Sequence, residues 1–464
     1  MKILLINISL RPDSTVTFPP IGLGYIASAI HNAGYVFDLL DLDVYKQNHE
    51  IIEEKIRHTQ YDIVLMGCIV TGYRMIREIS ARIKKINRKT IIVAGNTVAS
   101  SIPDHLLTHT GVDMAVLGEG DETVIDLLKL LESGDSLRHC KGIVYKSGTD
   151  IVYTDKRPPI KDLDLLPFIN WDLFNVEKYI EGYRYAADES IPLAEKDIRM
   201  FSTNSARGCI HRCSFCYHAF NGYPYRRRSN KSILDEVQLL IDKYGINTVQ
   251  FNDDLTFFSK KNLAEFADLI IERRMKFYWR GTCCSNLFQD DGDIELAKKM
   301  FEAGCTSLCF SLESADMEIL KAMRKHHTPE QFLKQAEILQ KAGIVCMTSL
   351  VFGYPAETKE TIKKTIDCCI KAKIYPSVGY LLPQPGSWAF DYAVKKGYIQ
   401  DIEEYLLILG DRQDLRINMT EIPDDEFENL VQAELHRCNE MLNVGLSANS
   451  LIKTTKYRKA KISC

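Results

Sequence analysis

Short apolar runs alternate with amphipathic stretches along the first 150 residues. The runs cover residues 2–8, 35–41, 62–67, 90–94 and 113–117, and each is continuous rather than alternating. Strand-length apolar runs separated by helical periodicity predict an α/β domain, a doubly wound parallel sheet of Rossmann-like type buried on both faces. Ligands of such sheets bind beyond the carboxyl ends of the strands. Attention therefore falls on the loops after residues 8, 67, 94 and 117, which carry Gly67, Gly95, Asn96, Gly118 and Gly120.

Two short alternating runs at 142–146 and 151–154 predict a hairpin turning at Ser147-Gly148. Pro158-Pro159, Pro167 and a mixed segment to about residue 198 have the composition of a linker, expected to wrap on the surface between domains. From Met200 the alternation resumes with a longer period, with strands expected at 200–204, 247–252, 277–282, 305–311, 345–352 and 374–381. Six such units suit a partial (β/α)6 barrel whose chemistry sits at the carboxyl ends of its strands. The division expected is 1–139 for the first domain, 140–198 for hairpin and linker, 199–390 for the barrel and 391–464 for a helical C-terminal extension. The cluster Lys453, Lys456, Arg458, Lys459 and Lys461 near its end reads as a solvated tail.

At 464 residues with a net charge of -4 and 26% charged residues, no basic face stands out, and nucleic acid is not expected as a partner. Apolar runs are too short to span a bilayer, and the opening MKILLINISL lacks the character of a signal peptide. A reducing, cytoplasmic setting is expected, so that the fourteen cysteines are read as free thiols. Most of them lie in apolar strand-like or helical stretches, where a thiol packs as a small hydrophobe.

Gly22-Leu23-Gly24-Tyr25-Ile26-Ala27 imitates a dinucleotide fingerprint, with Asp41 near the distance for a ribose ligand. The fingerprint must open a helix directly after a strand. Here residues 9–19 intervene, and Pro20 suits a first helical turn.

Three other cysteines, Cys209, Cys213 and Cys216, fall within eight residues at a C-x-x-x-C-x-x-C spacing and are followed by Tyr217. Three thiolates on one short loop reach three irons of a cubane and leave the fourth without a protein ligand. Structural zinc, with His211 or His218 completing a Cys3His set, is the alternative. This motif resembles the signature of the radical S-adenosylmethionine (SAM) superfamily. The resemblance implies a [4Fe-4S] cluster on Cys209, Cys213 and Cys216, with SAM chelating the open iron. It also implies reductive cleavage of SAM to a 5'-deoxyadenosyl radical, with electrons from an external donor of flavodoxin or ferredoxin type.

Further motifs extend the resemblance. Asn252-Asp253-Asp254 ends the second barrel strand, where the family binds the SAM amino group, with Asp253 the first choice and Asp254 the second; Phe310-Ser311-Leu312-Glu313-Ser314 ends the fourth, where a glutamate holds ribose hydroxyls. Gly353-Tyr354-Pro355-Ala356-Glu357-Thr358 resembles the turn after the fifth strand, and Leu382-Pro383-Gln384-Pro385-Gly386-Ser387 the segment after the sixth. Tyr217 is implied as an adenine contact and Arg280 as a partner of the SAM carboxylate.

The first domain resembles the cobalamin-binding domain that precedes one branch of these enzymes, termed class B where they transfer methyl groups. The resemblance rests on Phe18-Pro19-Pro20-Ile21-Gly22-Leu23-Gly24, Val93-Ala94-Gly95-Asn96 and Gly118-Glu119-Gly120-Asp121-Glu122-Thr123. It implies cobalamin held by Gly67, Thr71, Gly95, Asn96, Gly118, Glu119 and Gly120. Asn96 replaces the more usual second glycine, and no D-x-H-x-x-G motif supplies a histidine to cobalt. The lower face of cobalt is then expected to be empty, water-bound or approached by the loop from Cys68 to Tyr73. Radical methyl transfer to an unactivated carbon of a small molecule or peptide is the leading expectation. The alternatives are a radical oxidoreductase or cyclase without methyl transfer and, from another class, a non-catalytic zinc or cobalamin-sensing module.

Overall fold

The protein is described from a computed structural model covering residues 1–46, 50–410, 412 and 414–452. The basic tail cluster from Lys453 to Lys461 lies outside the described residues. Strands Ile3–Asn7, Phe37–Asp41, Ile63–Gly67, Ile91–Gly95 and Met114–Val116 pair in parallel, in the spatial order second, first, third, fourth, fifth. The chain leaves its first strand to one side for the second and to the other for the third, so the topological switch lies between Ile3–Asn7 and Ile63–Gly67. Hairpin Ile143–Ser147 and Asp150–Tyr153 pairs antiparallel on the edge of this sheet and brings it to seven strands.

Helix Ile21–Asn32 starts after Pro20, well past the end of the first strand. Asp41 is buried and accepts hydrogen bonds from Asn7 Nδ2 (2.9 Å), Val44 N (3.0 Å) and the Tyr179 phenol. The fingerprint imitation therefore makes no phosphate turn, and its acid pins a strand end.

The segment from 155 to 198 differs from the surface wrap expected of its composition. Trp171, Tyr179 and Tyr183 are buried, and Trp171 meets Phe201 of the barrel edge-on with ring centroids 4.9 Å apart. A Cβ on Gly24 would stand 2.8 Å from Ile169 Cγ2, so the helix presses directly on this segment. Proline content marked an irregular backbone, while the large aromatics between the prolines fill the seam between domains.

Strands Met200–Thr203, Thr248–Phe251, Tyr278–Thr282, Cys305–Cys309 and Val345–Met347 form a parallel sheet in sequence order. The single strand expected at 345–352 breaks at Thr348. Thr348 Oγ1 donates to Phe310 O (3.0 Å) and accepts from Leu312 N (2.9 Å), standing in for ladder bonds, and Ser349–Phe352 pairs instead with Ser377–Tyr380. Phe251, Phe257, Phe266 and Trp279 form the aromatic centre of the barrel wall. In the C-terminal extension, helix Asp424–Met441 packs on helix Lys359–Lys371, while helix Ile402–Ile408 docks on helix Tyr73–Ile86. Glu403 there accepts from Tyr73 Oη (2.6 Å), meets His105 Nε2 (2.5 Å) and faces Arg77. Among the described residues no helix is long and apolar enough to cross a membrane.

Candidate active site

The cysteine loop leaves the carboxyl end of Met200–Thr203 and is closed at its base by antiparallel pairing of Ala206–Arg207 with Arg226–Arg227. Asp253 sets the turn into it. Its carboxylate accepts from Ser205 N (2.9 Å), Ser205 Oγ (2.6 Å) and Ala206 N (3.0 Å), and burial raises it to about 6 against these bonds. Both oxygens thus accept from the chain's own donors at the start of the cysteine loop. Asp254 lies instead within electrostatic reach of Cys209 and Cys216, with His218 Nδ1 3.5 Å from its carboxylate.

Cys209 and Cys213 are half-buried and Cys216 is exposed. Loss of hydration raises the thiols of Cys209 and Cys213 and pushes Cys216 up to about 12, its sulfur being enclosed by protein atoms although the residue as a whole is exposed, so ionisation depends on a bound metal to compensate the charge. Tetrahedral zinc with Zn–S of about 2.3 Å would bring thiolates to about 3.8 Å of one another. Among the described residues the one set of three potential ligands mutually within 4.8 Å is His105, His109 and Glu403, far along the chain from the cysteines. The wider spread of Cys209, Cys213 and Cys216 fits a cubane, where each thiolate takes a different iron.

Glu313 has φ 61°, a left-handed conformation that a non-glycine residue holds only when its surroundings impose it. Its Oε1 pairs with Lys325 Nζ at 3.1 Å, while Oε2 is buried with no protein donor. An orphaned carboxylate oxygen at this strand end fits a ligand hydroxyl, as the motif implied. Lys325 was not foreseen from sequence. It sits after helix Met317–Ala322, close enough to Cys213 and Cys216 to feel their charge; burial works against its charge, yet Glu313 and the thiols hold its pKa above the ordinary range. The Arg280 guanidinium binds Asp188 (2.7 Å) and Ala186 O (2.8 Å), on the interdomain segment, and its Nε has no protein partner. Tyr217 packs so closely on Gly386 that a Cβ there would stand 2.4 Å from its ring, which joins the cysteine loop to the segment after the sixth strand.

At the carboxyl edge of the N-terminal sheet lies a mainly apolar cavity of about 200 Å³. Gly67, Gly95, Asn96, Gly118 and Gly120 line it from the sheet, and Arg207, Ala219 and Phe220 from the cysteine loop. Cβ atoms are excluded from Gly67, where Gly95 O would be 2.9 Å away, and from Gly118, where φ is 70° and Tyr223 Oη would be 2.6 Å away. Gly95 differs: a Cβ there would meet nothing within 4 Å and would simply occupy cavity. Such a backbone-walled apolar cradle fits the edge of a corrin ring. Asn96 adopts a left-handed backbone (φ 69°), a conformation that asparagine tolerates next best to glycine, its Oδ1 accepting from Thr97 N at 2.6 Å.

Two expected corrin contacts are placed otherwise. Thr71, in the turn Val70–Gly72, is not among the cavity-lining residues. Glu119 borders the cavity, but its carboxylate is taken by Arg207 Nη1 (2.7 Å), Arg226 Nη1 (2.9 Å) and Ile160 N (2.7 Å). Asp121 completes a fork on Arg207, with both oxygens at 2.9 Å. All four side chains are buried, so this network latches the first domain to the base of the cysteine loop. Removing one partner from a buried pair typically costs about 3–5 kcal/mol. The Gly118–Thr123 motif gave the sheet end but no sign of the arginines that meet it, because they come from the other domain.

Comparison with known proteins agrees with this geometry. The family model "Radical SAM superfamily" matches residues 203–369, and "B12 binding domain" matches residues 13–128. The chain is 27% identical over 409 residues to the uncharacterized methyltransferase PH0819 of Pyrococcus horikoshii, covering 85% of this chain and 84% of that one. It is also 27% identical over 354 residues to an anaerobic magnesium-protoporphyrin IX monomethyl ester cyclase of Cereibacter sphaeroides, of whose length it spans 56%. The methyltransferase TsrM of Kitasatospora setae, solved with cobalamin and a [4Fe-4S] cluster bound, has the same fold, with a TM-score of 0.67 at 18% identity over 85% of this chain and 78% of that one.

Proposed function

Because the chain belongs to the radical SAM superfamily and carries a B12 binding domain, we propose that this enzyme transfers a methyl group to an unactivated carbon of a small molecule or peptide. The observation that carries the reading is one cavity walled by both domains, with Gly67, Gly95 and Gly118 on one side and Arg207, Ala219 and Phe220 of the cysteine loop on the other. A reaction that passes a group between two cofactors needs them to share a water-poor space. The named methyltransferase relative supports the same reading.

When bound, the cluster with SAM supplies a deoxyadenosyl radical, and the corrin supplies a carrier for methyl. The chain's own part is to hold and orient. Cys209, Cys213 and Cys216 would hold the cluster, and Glu313 Oε2 would accept from a ribose hydroxyl. Asp254 is the better placed carboxylate for the SAM amino group. Lys325, beside Glu313, balances charge at the cysteines. Gly67, Gly95, Asn96, Gly118 and Gly120 would take the corrin edge by backbone, while Phe220 of the cysteine loop lines the same cavity. All cysteines among the described residues are free thiols, which suits the reducing cytoplasm where we place the enzyme.

The test needs no organic substrate. Reconstituted enzyme with hydroxocobalamin, a strong reductant and methyl-deuterated SAM should return deuterium with the corrin and release 5'-deoxyadenosine in a second, reductive turnover. Deoxyadenosine with an unlabelled corrin would favour a radical oxidoreductase or cyclase, the reading suggested by the cyclase relatives.

A further inference from the structure

The reading above requires an electron to reach the cysteine loop, and the loop has one outer side that lies directly beneath the protein surface. Ser214, between Cys213 and Cys216, is tied outward by four hydrogen bonds. Its N donates to Met323 O (3.1 Å), its Oγ donates to Ala322 O (2.8 Å) and lies 2.7 Å from Tyr354 Oη, and its O accepts from Ala389 N (3.0 Å). Ala322 is exposed, and Ala389 lies in the first turn of the helix Trp388–Lys395. On that helix Trp388 stacks on Tyr354, with centroids 6.0 Å apart at 25°, and on Tyr392, 4.9 Å apart at 28°. Tyr354 is buried while Trp388 is 38% exposed. A hydrogen bond and one ring stack thus link the cysteine loop to an indole at the surface.

The charge around that indole has one dominant sign. Lys321 and Arg324 flank Ala322, Lys395 ends the Trp388 helix, and Lys396 follows with its Nζ 5.9 Å from the Tyr392 ring centre. All four are exposed, and none forms an ion pair within 4.0 Å among the described residues. Glu318 and Asp391 are the exposed acids on the same two helices, so cations outnumber acids by four to two. Exposed aromatics ringed by unpaired cations are complementary to an acidic protein that presents a flat apolar edge.

We propose that the surface formed by Lys321, Arg324, Trp388, Lys395 and Lys396 is where a flavodoxin docks to deliver the reducing electron. Flavodoxins are acidic and expose the edge of their flavin, which matches both the charge and the stacked rings. The anionic flavin hydroquinone gives up one electron and becomes the neutral radical with its N–H retained. A cluster held by Cys209, Cys213 and Cys216 would receive that electron, with no proton moving between the proteins. The proposal rests on the cluster assignment to Cys209, Cys213 and Cys216.

The experiment compares wild type with the triple variant Lys321→Glu, Lys395→Glu, Lys396→Glu, each as reconstituted full-length enzyme with its iron content measured. Reduction by a flavodoxin hydroquinone at low salt should slow at least tenfold in the variant, and salt should slow the wild type. Photoreduced deazaflavin, a small donor, should reduce both equally and drive equal SAM cleavage. Lys276→Glu, at the opposite end of the barrel, should behave as wild type. Equal flavodoxin rates in wild type and triple variant would overturn the docking site, as would a charge dependence seen with an acidic ferredoxin and absent with flavodoxin. Failure of deazaflavin to reduce wild type would instead remove the cluster reading, and this surface with it.

Discussion

The glycine cradle on the N-terminal sheet and the cysteine loop at the barrel mouth face one cavity, yet one is made of backbone and the other of side chains. On the cradle side a ligand meets Gly67, Gly95 and Gly118, where the absence of Cβ atoms creates room. On the loop side it meets the side chains of Arg207, Ala219 and Phe220, and beyond them the thiols, Glu313, Lys325 and Asp254 of the barrel mouth present the functional groups that carry the chemistry. A surface defined by what is missing can change residue only where the new side chain stays out of the space, as at Asn96, which adopts a left-handed backbone at φ 69° and turns its Oδ1 to Thr97 N. A surface defined by ligand atoms has no such latitude.

The widest separation of the two sides comes from Cys213→Ala. Iron should fall well below about four per chain, the full complement of a cubane, and 5'-deoxyadenosine formation should disappear, while hydroxocobalamin binding followed by absorbance is unchanged. Gly95→Leu is the reciprocal case. Its φ of -132° suits any residue, so the substitution adds only volume to the cradle. Corrin affinity should fall about a hundredfold, or about 2.7 kcal/mol, with iron content and uncoupled SAM cleavage retained. Unchanged corrin affinity in Gly95→Leu would mean that the ring binds elsewhere.

That contrast also sets how much was legible in the sequence. Cys209, Cys213 and Cys216 announce themselves because metal ligation demands given atoms at given spacings, and the parallel strands because burial demands continuous apolar runs. Glu313 was readable as a charge at a strand end, where packing gives it no reason to be. Asp253 and Asp254 are adjacent and chemically alike, so only the fold separates the one that clamps Ser205 and Ala206 from the one that faces the cysteines. Arg207, Arg226 and Lys325 were invisible as site residues because their partners lie 88, 107 and 12 positions away or arrive from another domain. Thr348 was likewise hidden, since a threonine that substitutes for ladder bonds looks like any strand residue.

A smaller effect is expected from Glu313→Gln. The amide keeps the shape and can still accept from a hydroxyl, but it loses the charge that faces Lys325 and strengthens that bond. The KM for SAM should rise about tenfold, near 1.4 kcal/mol, with iron content unaltered. An unchanged KM would return Glu313 to a purely structural pairing with Lys325.

The mildest test concerns Glu357, in the turn after the fifth barrel strand, where a motif carboxylate serves the backbone instead of a ligand. It is buried, its Oε2 accepts from Gly353 N at 2.6 Å, and Oε1 has no protein donor. Burial pushes this carboxyl up to about 8 from an ordinary 4.5, opposed by the bonds from Gly353 and Tyr354. Between those values the folded state keeps the proton that the unfolded chain has released. The folded state then binds more protons, so this group's contribution to stability is full below the lower value and is lost as pH rises towards the upper one. At about 1.36 kcal/mol per unit the change is on the order of a few kcal/mol. Glu357→Gln keeps an acceptor for Gly353 and has nothing to ionise, so denaturant unfolding should show a flatter dependence from pH 5 to 8 than wild type. The KM for SAM should not move, whereas a rise would place Glu357 among the ligand-facing side chains of the barrel mouth.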